Sequence, residues 1–189
     1  MKNERQRCSW CVGYALYEAY HDKEWGIPVY DDATLFEFLI LETFQAGLSW
    51  ITVLRKRENF RIAFDHFDYI KIANYKPPKV EALLNNAGII RNKLKVKSAI
   101  TNAEAFMKIQ DEFGFFSTYL WNFVDGKPIK NKVANYKEAP AHTPLSDTIS
   151  KDLKKRGFKF VGSTVIYAYM QAIGMVNDHE LSCFRYNEL

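Results

Sequence analysis

The chain has 189 residues, of which 48% are hydrophobic, so residues 1–189 can bury a substantial core as one globular domain or as two closely packed helical lobes. Three cysteines are too few for a disulfide scaffold, the first residues lack the apolar stretch of a signal peptide, and no apolar run of about 18 residues could span a membrane. A cytoplasmic protein is therefore expected, and its net charge of +4 permits nucleic-acid binding without requiring it.

Candidate metal ligands lie near both ends of the chain. Cys8 and His21 are close to the N-terminus, and His179 and Cys183 are close to the C-terminus. Thiolates and imidazoles are the usual ligands of structural zinc, and four of them leave no open position for water. Spacing alone does not select this set, because Cys8 and Cys11 form a C-x-x-C that could supply two thiolates or a redox pair. The hypothesis is one structural Zn²⁺ ion that joins the two ends.

The segment around His21 is rich in aromatic residues. Tyr17 and Trp25 flank it, and two further tryptophans, Trp10 and Trp50, lie nearby in the sequence. Aromatic side chains mostly fill protein cores, which is the simplest interpretation of each one. Their concentration beside candidate metal ligands favours a pocket.

Two helices are predicted next along the chain. Asp31-Asp32 can cap a helix over about 33–46, and Gly47 would end it. A second helix is expected over 49–64, with a solvated run of charges at 55–58. The periodicity of both segments is helical.

A helical hairpin is predicted in the middle of the chain. Pro77-Pro78 opens a helix that ends near Asn85, a turn with Gly88 follows, and a long helix runs over about 91–110. The start of a helix can bind phosphate through free N–H groups, although on this segment alone a plain connection with solvated lysines is slightly favoured. The surrounding basic residues are Arg91, Lys93, Lys95 and Lys97.

The C-terminal third also has a helical pattern. Helices are expected over 115–123, 146–156 and 163–173, and the segment 125–143 is expected to be a surface loop. No pattern of alternating strands is present, so the predicted fold class is all-α. A second basic group could widen a nucleic-acid footprint or simply complement a helix dipole; its members are Lys151, Lys154, Lys155, Arg156 and Lys159.

Four motifs resemble the 3-methyladenine DNA glycosylase I family. They are Tyr17-x-x-Tyr20-His21-Asp-x-Glu-Trp25-Gly26, Glu42-x-x-x-Ala46-Gly47-Leu48-Ser49-Trp50, Lys155-Arg-Gly-Phe-Lys-Phe-Val-Gly162 and Asn177-Asp178-His179-x-x-x-Cys183. The resemblance extends from Cys8 to Cys183. It implies a helix-hairpin-helix DNA glycosylase fold whose terminal segments are joined by one structural zinc, with Cys8, His21, His179 and Cys183 as ligands.

The resemblance also implies an activity. A monomer would bind alkylated double-stranded DNA, flip out 3-methyladenine, hydrolyse its N-glycosidic bond and release the free base, leaving an abasic site. The methylated base is a cation that already weakens this bond, so no acid has to protonate it. The chief task is recognition, which flat aromatic faces and a carboxylate suit.

Roles for individual residues follow from the same resemblance. Glu42 would be the catalytic carboxylate that reads the base edge; its apolar sequence neighbours predict a burial that would be expensive without a function. Tyr20, the second expected catalytic residue, would be a hydrogen-bonding partner. Trp10 and Trp50 would stack on the base, and Tyr17 and Trp25 would line the pocket. The expected DNA-binding residues are Gly47 and Leu48, a corner that would enter the duplex, and the hairpin residues Gly88, Ile89 and Ile90.

The sequence differs from the family pattern at two places, and other functions have to be weighed against the one that the resemblance implies. Tyr14-Ala15 replaces an Asp-Pro common in the family, and Leu94 stands where a glycine is common. A zinc deaminase is excluded because its H-x-E and P-C-x-x-C signature is missing. The stronger rival is a non-catalytic, zinc-stabilised module that binds alkylated DNA.

Overall fold

A computed structural model describes residues 5–189 and consists mainly of helices connected by short turns. The helices are α1 (Ala15–Lys23), α2 (Asp32–Gln45), α3 (Trp50–Leu54), α4 (Arg57–Ala63), α5 (Tyr69–Ala73), α6 (Pro77–Asn85), α7 (Lys93–Phe113), α8 (Phe116–Trp121), α9 (Pro144–Lys155) and α10 (Ser163–Ala172). Within residues 5–189, none of these helices combines the length and apolar character needed to cross a membrane. The prediction of a predominantly helical chain is confirmed.

Helix α2 forms the centre of the molecule. Asp31 caps it by accepting a hydrogen bond from the Thr34 N–H, as the sequence predicts. Most of its side chains are buried, and it packs against α7 and α10. Gly47 ends it with a φ of +80°, a conformation that side chains with a Cβ rarely adopt. The helix thus carries its residues, including Glu42, into the core.

The predicted helix over 49–64 is wrong in one respect, because it divides into α3 and α4 at Lys56. The Lys56 N–H donates a hydrogen bond to the carbonyl of Val53, three residues back instead of four, so the first helix closes in a tight turn before α4 begins at Arg57. The solvated run of charges predicted at 55–58 is also wrong at Arg57. This side chain is buried rather than solvated, and it donates hydrogen bonds to Glu24 at 2.5 Å and to Glu37 at 2.7 Å.

The hairpin consists of α6, the turn 86–92 and α7. Asn92 caps α7, since its side-chain oxygen accepts the N–H groups of Leu94 and Lys95. Helix α7 packs along α5 and contacts α6. The geometry of a helix, a short turn and a second helix therefore agrees with the prediction.

The expected surface loop 125–143 contains a strand, which is a second correction. Strand β1 (Ile129–Lys130) pairs in parallel with β2 (Val176–Asn177), and Val133 bridges to Glu180. Two residues are too few for an alternating pattern, so the pairing depends on the tertiary fold. This pairing brings the segment close to α10, where the Tyr136 hydroxyl donates to Gln171.

The two ends of the chain meet beside this sheet. Glu180 accepts hydrogen bonds from the N–H and the hydroxyl of Ser9, at 3.1 and 2.7 Å. The Phe184 N–H donates to the carbonyl of Gln6. The terminal segments are therefore held together by direct contacts.

Candidate functional site

A cavity of about 230 Å³ opens between α1, α2, α3 and α10. All six residues predicted to contact the base line it: Trp10, Tyr17, Tyr20, Trp25, Glu42 and Trp50. Four further residues complete the lining, namely Gln45, Tyr136, Ala168 and Gln171. The cavity is smaller than a typical drug-sized site and suits one planar ring system.

Glu42 is the acidic group of this cavity. It is only 3% exposed, and among residues 5–189 no group hydrogen-bonds to its Oε2. Burial raises the pKa of its carboxyl from an ordinary 4.5 to about 8. A buried carboxyl without a partner is costly, so the site is suited to a ligand that supplies a donor or a positive charge.

Two of the tryptophans that line the cavity have donors without a partner in the described part of the chain. The indole Nε1 atoms of Trp10 and Trp50 are buried, and each lacks an acceptor in the described part of the chain. Buried donors are normally paired, so these two fit a ligand with acceptor atoms. Among residues 5–189, three residues that line the cavity therefore carry buried polar atoms without a partner: two donors and one carboxyl oxygen.

Aromatic rings form the walls. The ring of Trp10 lies 5.3 Å from that of Tyr17 and 5.0 Å from that of Trp25, and the rings of Tyr20 and Trp50 are 5.4 Å apart. Burial, followed by the nearby Glu42 carboxyl, raises the pKa of Tyr20, so its hydroxyl keeps its proton. Such walls favour a flat and cationic ligand.

Tyr17 has a second role that the sequence does not reveal. Its hydroxyl oxygen accepts the N–H of Ile51 at 2.8 Å, in the first turn of α3. Ser49, at the N-cap position, makes no capping hydrogen bond with its side chain. Tyr17 therefore caps α3 and holds Trp50, the first residue of that helix, against the cavity.

Sequence reasoning missed Tyr136 and Gln171. The Gln171 amide donates to the buried Asp178 carboxylate at 2.7 Å, and its oxygen lies 3.4 Å from the Tyr136 hydroxyl, which donates to it. Gln171 has the same signal as Glu42, a polar residue in an apolar helix, and could have been found. Tyr136 could not have been found from the sequence, because it follows the two-residue strand β1, whose pairing depends on the tertiary fold.

Three of the four predicted zinc ligands form a second cluster. The ligand atoms of Cys8, His21 and Cys183 lie within 4.8 Å of one another, and His21 Nε2 is 3.4 Å from Cys183 Sγ. Ligand atoms on a tetrahedral zinc with one nitrogen and one sulfur would be about 3.5 Å apart. Asp22 holds His21 Nδ1 at 2.8 Å, which leaves Nε2 as the ligand atom.

His179 lies beside this cluster, with its ring 5.0 Å from that of His21. Asn177 holds its Nδ1 at 3.0 Å, and its buried Nε2 has no partner within residues 5–189. Gly26 makes room for this ring, because a Cβ there would lie 2.6 Å from His179 Cε1. His179 is outside the group of three close ligand atoms, but a buried imidazole nitrogen without a partner among residues 5–189, next to the ring of His21, fits the role of a fourth ligand.

Cys11 takes no part in this cluster of described residues. It is buried, and its Sγ donates to the carbonyl of Cys8 at 3.2 Å. The alternative of two thiolates from the C-x-x-C therefore has no geometric support.

The predicted DNA-binding residues differ in accessibility. Leu48 is 42% exposed at the corner between α2 and α3, next to Gly47, and is not a core residue. In the hairpin, the N–H groups of Gly88 and Ile89 donate to Asn86, and the Ile89 side chain is buried. The N–H of Ile90 has no acceptor among the residues described.

The basic residues near the hairpin also need a correction. Arg91, Lys93 and Lys97 are exposed, but Lys95 is only 6% exposed and donates to backbone carbonyls, so it does not face a phosphate. In the second basic group, Arg156 is paired with Asp152 and Glu112. The exposed members of that group are Lys151, Lys154, Lys155 and Lys159.

Comparison with known proteins gives consistent matches. A family model described as methyladenine glycosylase matches residues 10–186. DNA-3-methyladenine glycosylase 1 of Escherichia coli (strain K12) is 48% identical over 181 residues, which cover 96% of this chain and 97% of that protein. A crystal structure of 3-methyladenine DNA glycosylase I is 51% identical, with a TM-score of 0.91 and coverage of 95% of this chain and 98% of that one. The Staphylococcus aureus enzyme, in a structure concerned with 3-methyladenine recognition, is 32% identical, with a TM-score of 0.91 and coverage of 94% and 95%.

Proposed function

The chain belongs to the methyladenine glycosylase family, and from that premise we propose that it excises 3-methyladenine from alkylated double-stranded DNA. It flips the base into the aromatic cavity, hydrolyses the N-glycosidic bond, and leaves an abasic site and the free base. The observation that carries this proposal is the buried carboxyl of Glu42, which lines that cavity and whose Oε2 has no partner among residues 5–189.

The chemistry of the base matches the cavity. Methylation at N3 makes adenine a cation, and a cation next to a carboxyl favours its ionised form. Glu42 then accepts a hydrogen bond from the base edge, and the Tyr20 hydroxyl lies on the same wall. The unpaired indole donors of Trp10 and Trp50 would be available to acceptor nitrogens of the ring. Because the leaving base already carries a positive charge, the pocket needs no group to protonate it.

The DNA is held on the surface that surrounds the cavity. Leu48 is the exposed apolar side chain at the corner after α2, and it would fill the space that the flipped base leaves. The turn before α7 contacts the phosphate backbone, with the free N–H of Ile90 and the exposed Arg91 and Lys93. The positive net charge makes this binding weaker at high salt.

One structural Zn²⁺ belongs to this proposal. Cys8, His21, His179 and Cys183 would hold it, supported by the close ligand atoms of three of them and the orphaned Nε2 of the fourth. The ion would join the chain ends and take no part in the reaction, because four protein ligands leave no open position. We further propose a monomer that acts in the cytoplasm, where reducing conditions keep both ligand thiols free.

The direct test is release of free 3-methyladenine from methylated duplex DNA. Wild-type protein should release it, and Glu42→Gln should be slower by about 100-fold or more, because the pocket loses its negative charge. Glu104→Gln, which changes an exposed glutamate on α7, is the matched control and should retain activity. Binding of methylated DNA by wild-type protein without release of any base would instead indicate the non-catalytic module.

A further inference from the structure

A buried lysine links the hairpin to the corner of the cavity. Lys95 is the third residue of α7, and its side chain runs into the protein instead of towards solvent. Its Nζ donates to the carbonyl of Phe44 at 2.8 Å and to that of Ala46 at 2.6 Å. Both carbonyls belong to the C-terminal end of α2, directly before Gly47 and Leu48.

The Lys95 ammonium group lies at the negative, C-terminal end of α2. The last carbonyls of a helix lack backbone partners and form its negative end, so a lysine there satisfies both needs. Within residues 5–189, no carboxylate forms an ion pair with Lys95. Burying a charge is costly, and here the hydrogen bonds to the end of α2 offset that cost. Loss of the ammonium group would therefore free the end of α2.

A second lysine links the hairpin turn to the segment that follows α3. Lys56, between α3 and α4, donates to the carbonyls of Ala87 and Gly88 at 3.1 and 3.3 Å. Asn59 on α4 also donates to the Gly88 carbonyl. The hairpin is thus connected to the end of α2 by Lys95 and to the segment between α3 and α4 by Lys56.

We propose that Lys95 is a positioning residue that couples the hairpin's hold on the DNA backbone to insertion of the corner 46–49 during base flipping. The inference rests on the proposed function. When the hairpin binds phosphates, Lys95 keeps the end of α2 at a fixed place relative to them, so Leu48 is aligned with the lesion. Without Lys95 the cavity remains, but the corner 46–49 no longer has a fixed position relative to the DNA backbone.

Duplex and single-stranded substrates distinguish an effect on base flipping from an effect on bond hydrolysis. Extruding a base costs a few kcal/mol in a duplex and least in a single strand, where no stacked gap has to be filled. Lys95→Met keeps the apolar stem and removes the donor. It should lower single-turnover release of 3-methyladenine from duplex DNA by about tenfold or more, and release from methylated single-stranded DNA by less than about threefold. Lys108→Met, which changes an exposed lysine on α7, should leave both rates unchanged.

The outcomes distinguish this inference from its premise. If wild-type protein releases no base from either DNA, the proposed function fails. If Lys95→Met lowers both rates equally, or neither, the positioning role is overturned, since Glu42→Gln is the change expected to lower both. If Lys95→Met does not fold, Lys56→Met tests the second link, and an unchanged ratio of duplex to single-strand rates in that variant overturns the inference.

Discussion

Glu42 shows how one residue acquires its properties from its surroundings. It lies among apolar residues of α2, which bury it, and its carboxyl finds no protein donor among residues 5–189. Burial alone accounts for its raised pKa. The free protein thus keeps Glu42 largely protonated at neutral pH, ready to ionise against a bound cation.

The stability of the free protein should therefore depend on pH through Glu42. Its pKa is about 8 in the folded state and near its ordinary value of 4.5 in the unfolded state, so the folded state binds the proton more tightly. The resulting stabilisation is fully present below pH 4.5 and is lost as the pH rises through 8, by up to about 1.4 kcal/mol per pH unit. Glu42→Gln cannot ionise, so its free energy of unfolding should exceed that of wild type by an amount that grows from pH 5 to pH 8.

Urea unfolding of both proteins at several pH values measures this difference. Glu104→Gln, at an exposed site, serves as the control and should follow the wild-type curve. A constant difference between Glu42→Gln and wild type across this range would show that Glu42 ionises as an ordinary carboxyl.

At the scale of elements, short helices depend on contacts that lie outside them. Helix α3 has five residues, too few to be stable alone, and its N-terminus is capped by the hydroxyl of Tyr17 on α1. The long helices α2 and α7 instead carry their own caps, Asp31 and Asn92, directly in front of them. This difference explains why periodicity found α2 and α7 but joined α3 to α4.

Tyr17→Phe should loosen α3 while leaving the aromatic wall in place. The lost hydrogen bond should lower the free energy of unfolding by about 1 kcal/mol, and Trp50 should bind the base less well because its helix begins less firmly. Thermal unfolding and binding of free 3-methyladenine measure the two effects. Tyr14→Phe is the matched control, since Tyr14 is exposed at the start of α1, the helix that carries Tyr17. Identical behaviour of the two variants would mean that the Tyr17 hydroxyl does not stabilise α3.

At the scale of the whole molecule, the chain closes on itself. The segments around Cys8 and Cys183 meet through Ser9, Glu180 and the candidate zinc ligands, and the cavity lies in front of this junction. Trp10 and Trp25 contact both features, because their rings lie 5.6 and 4.6 Å from the rings of His21 and His179, respectively. Order at the junction therefore supports order in the cavity walls.

Cys183→Ser should remove zinc and destabilise the protein. A metal that closes so long a loop restricts the unfolded chain, so its loss should cost about 3 kcal/mol or more. Metal analysis of the purified variant and its thermal unfolding test this expectation. Cys11→Ser changes a buried cysteine outside the cluster and should retain the ion. Wild-type protein that contains no zinc, with a stability unaffected by chelators, would contradict the prediction.

The sequence by itself determined the long helices, the Asp31 cap of α2, six of the residues that line the cavity and the three residues whose ligand atoms cluster. Those features are local, since Asp31 caps its own helix, or they are motifs of the family, such as the residues from Tyr17 to Gly26. Only the tertiary structure decided that Lys95 and Arg57 are buried, that Tyr17 caps α3, and that β1 brings Tyr136 to the cavity. The reason is physical: each of these depends on partners far away in the chain, and neither periodicity nor composition records which distant carbonyl, carboxylate or N–H a side chain will meet.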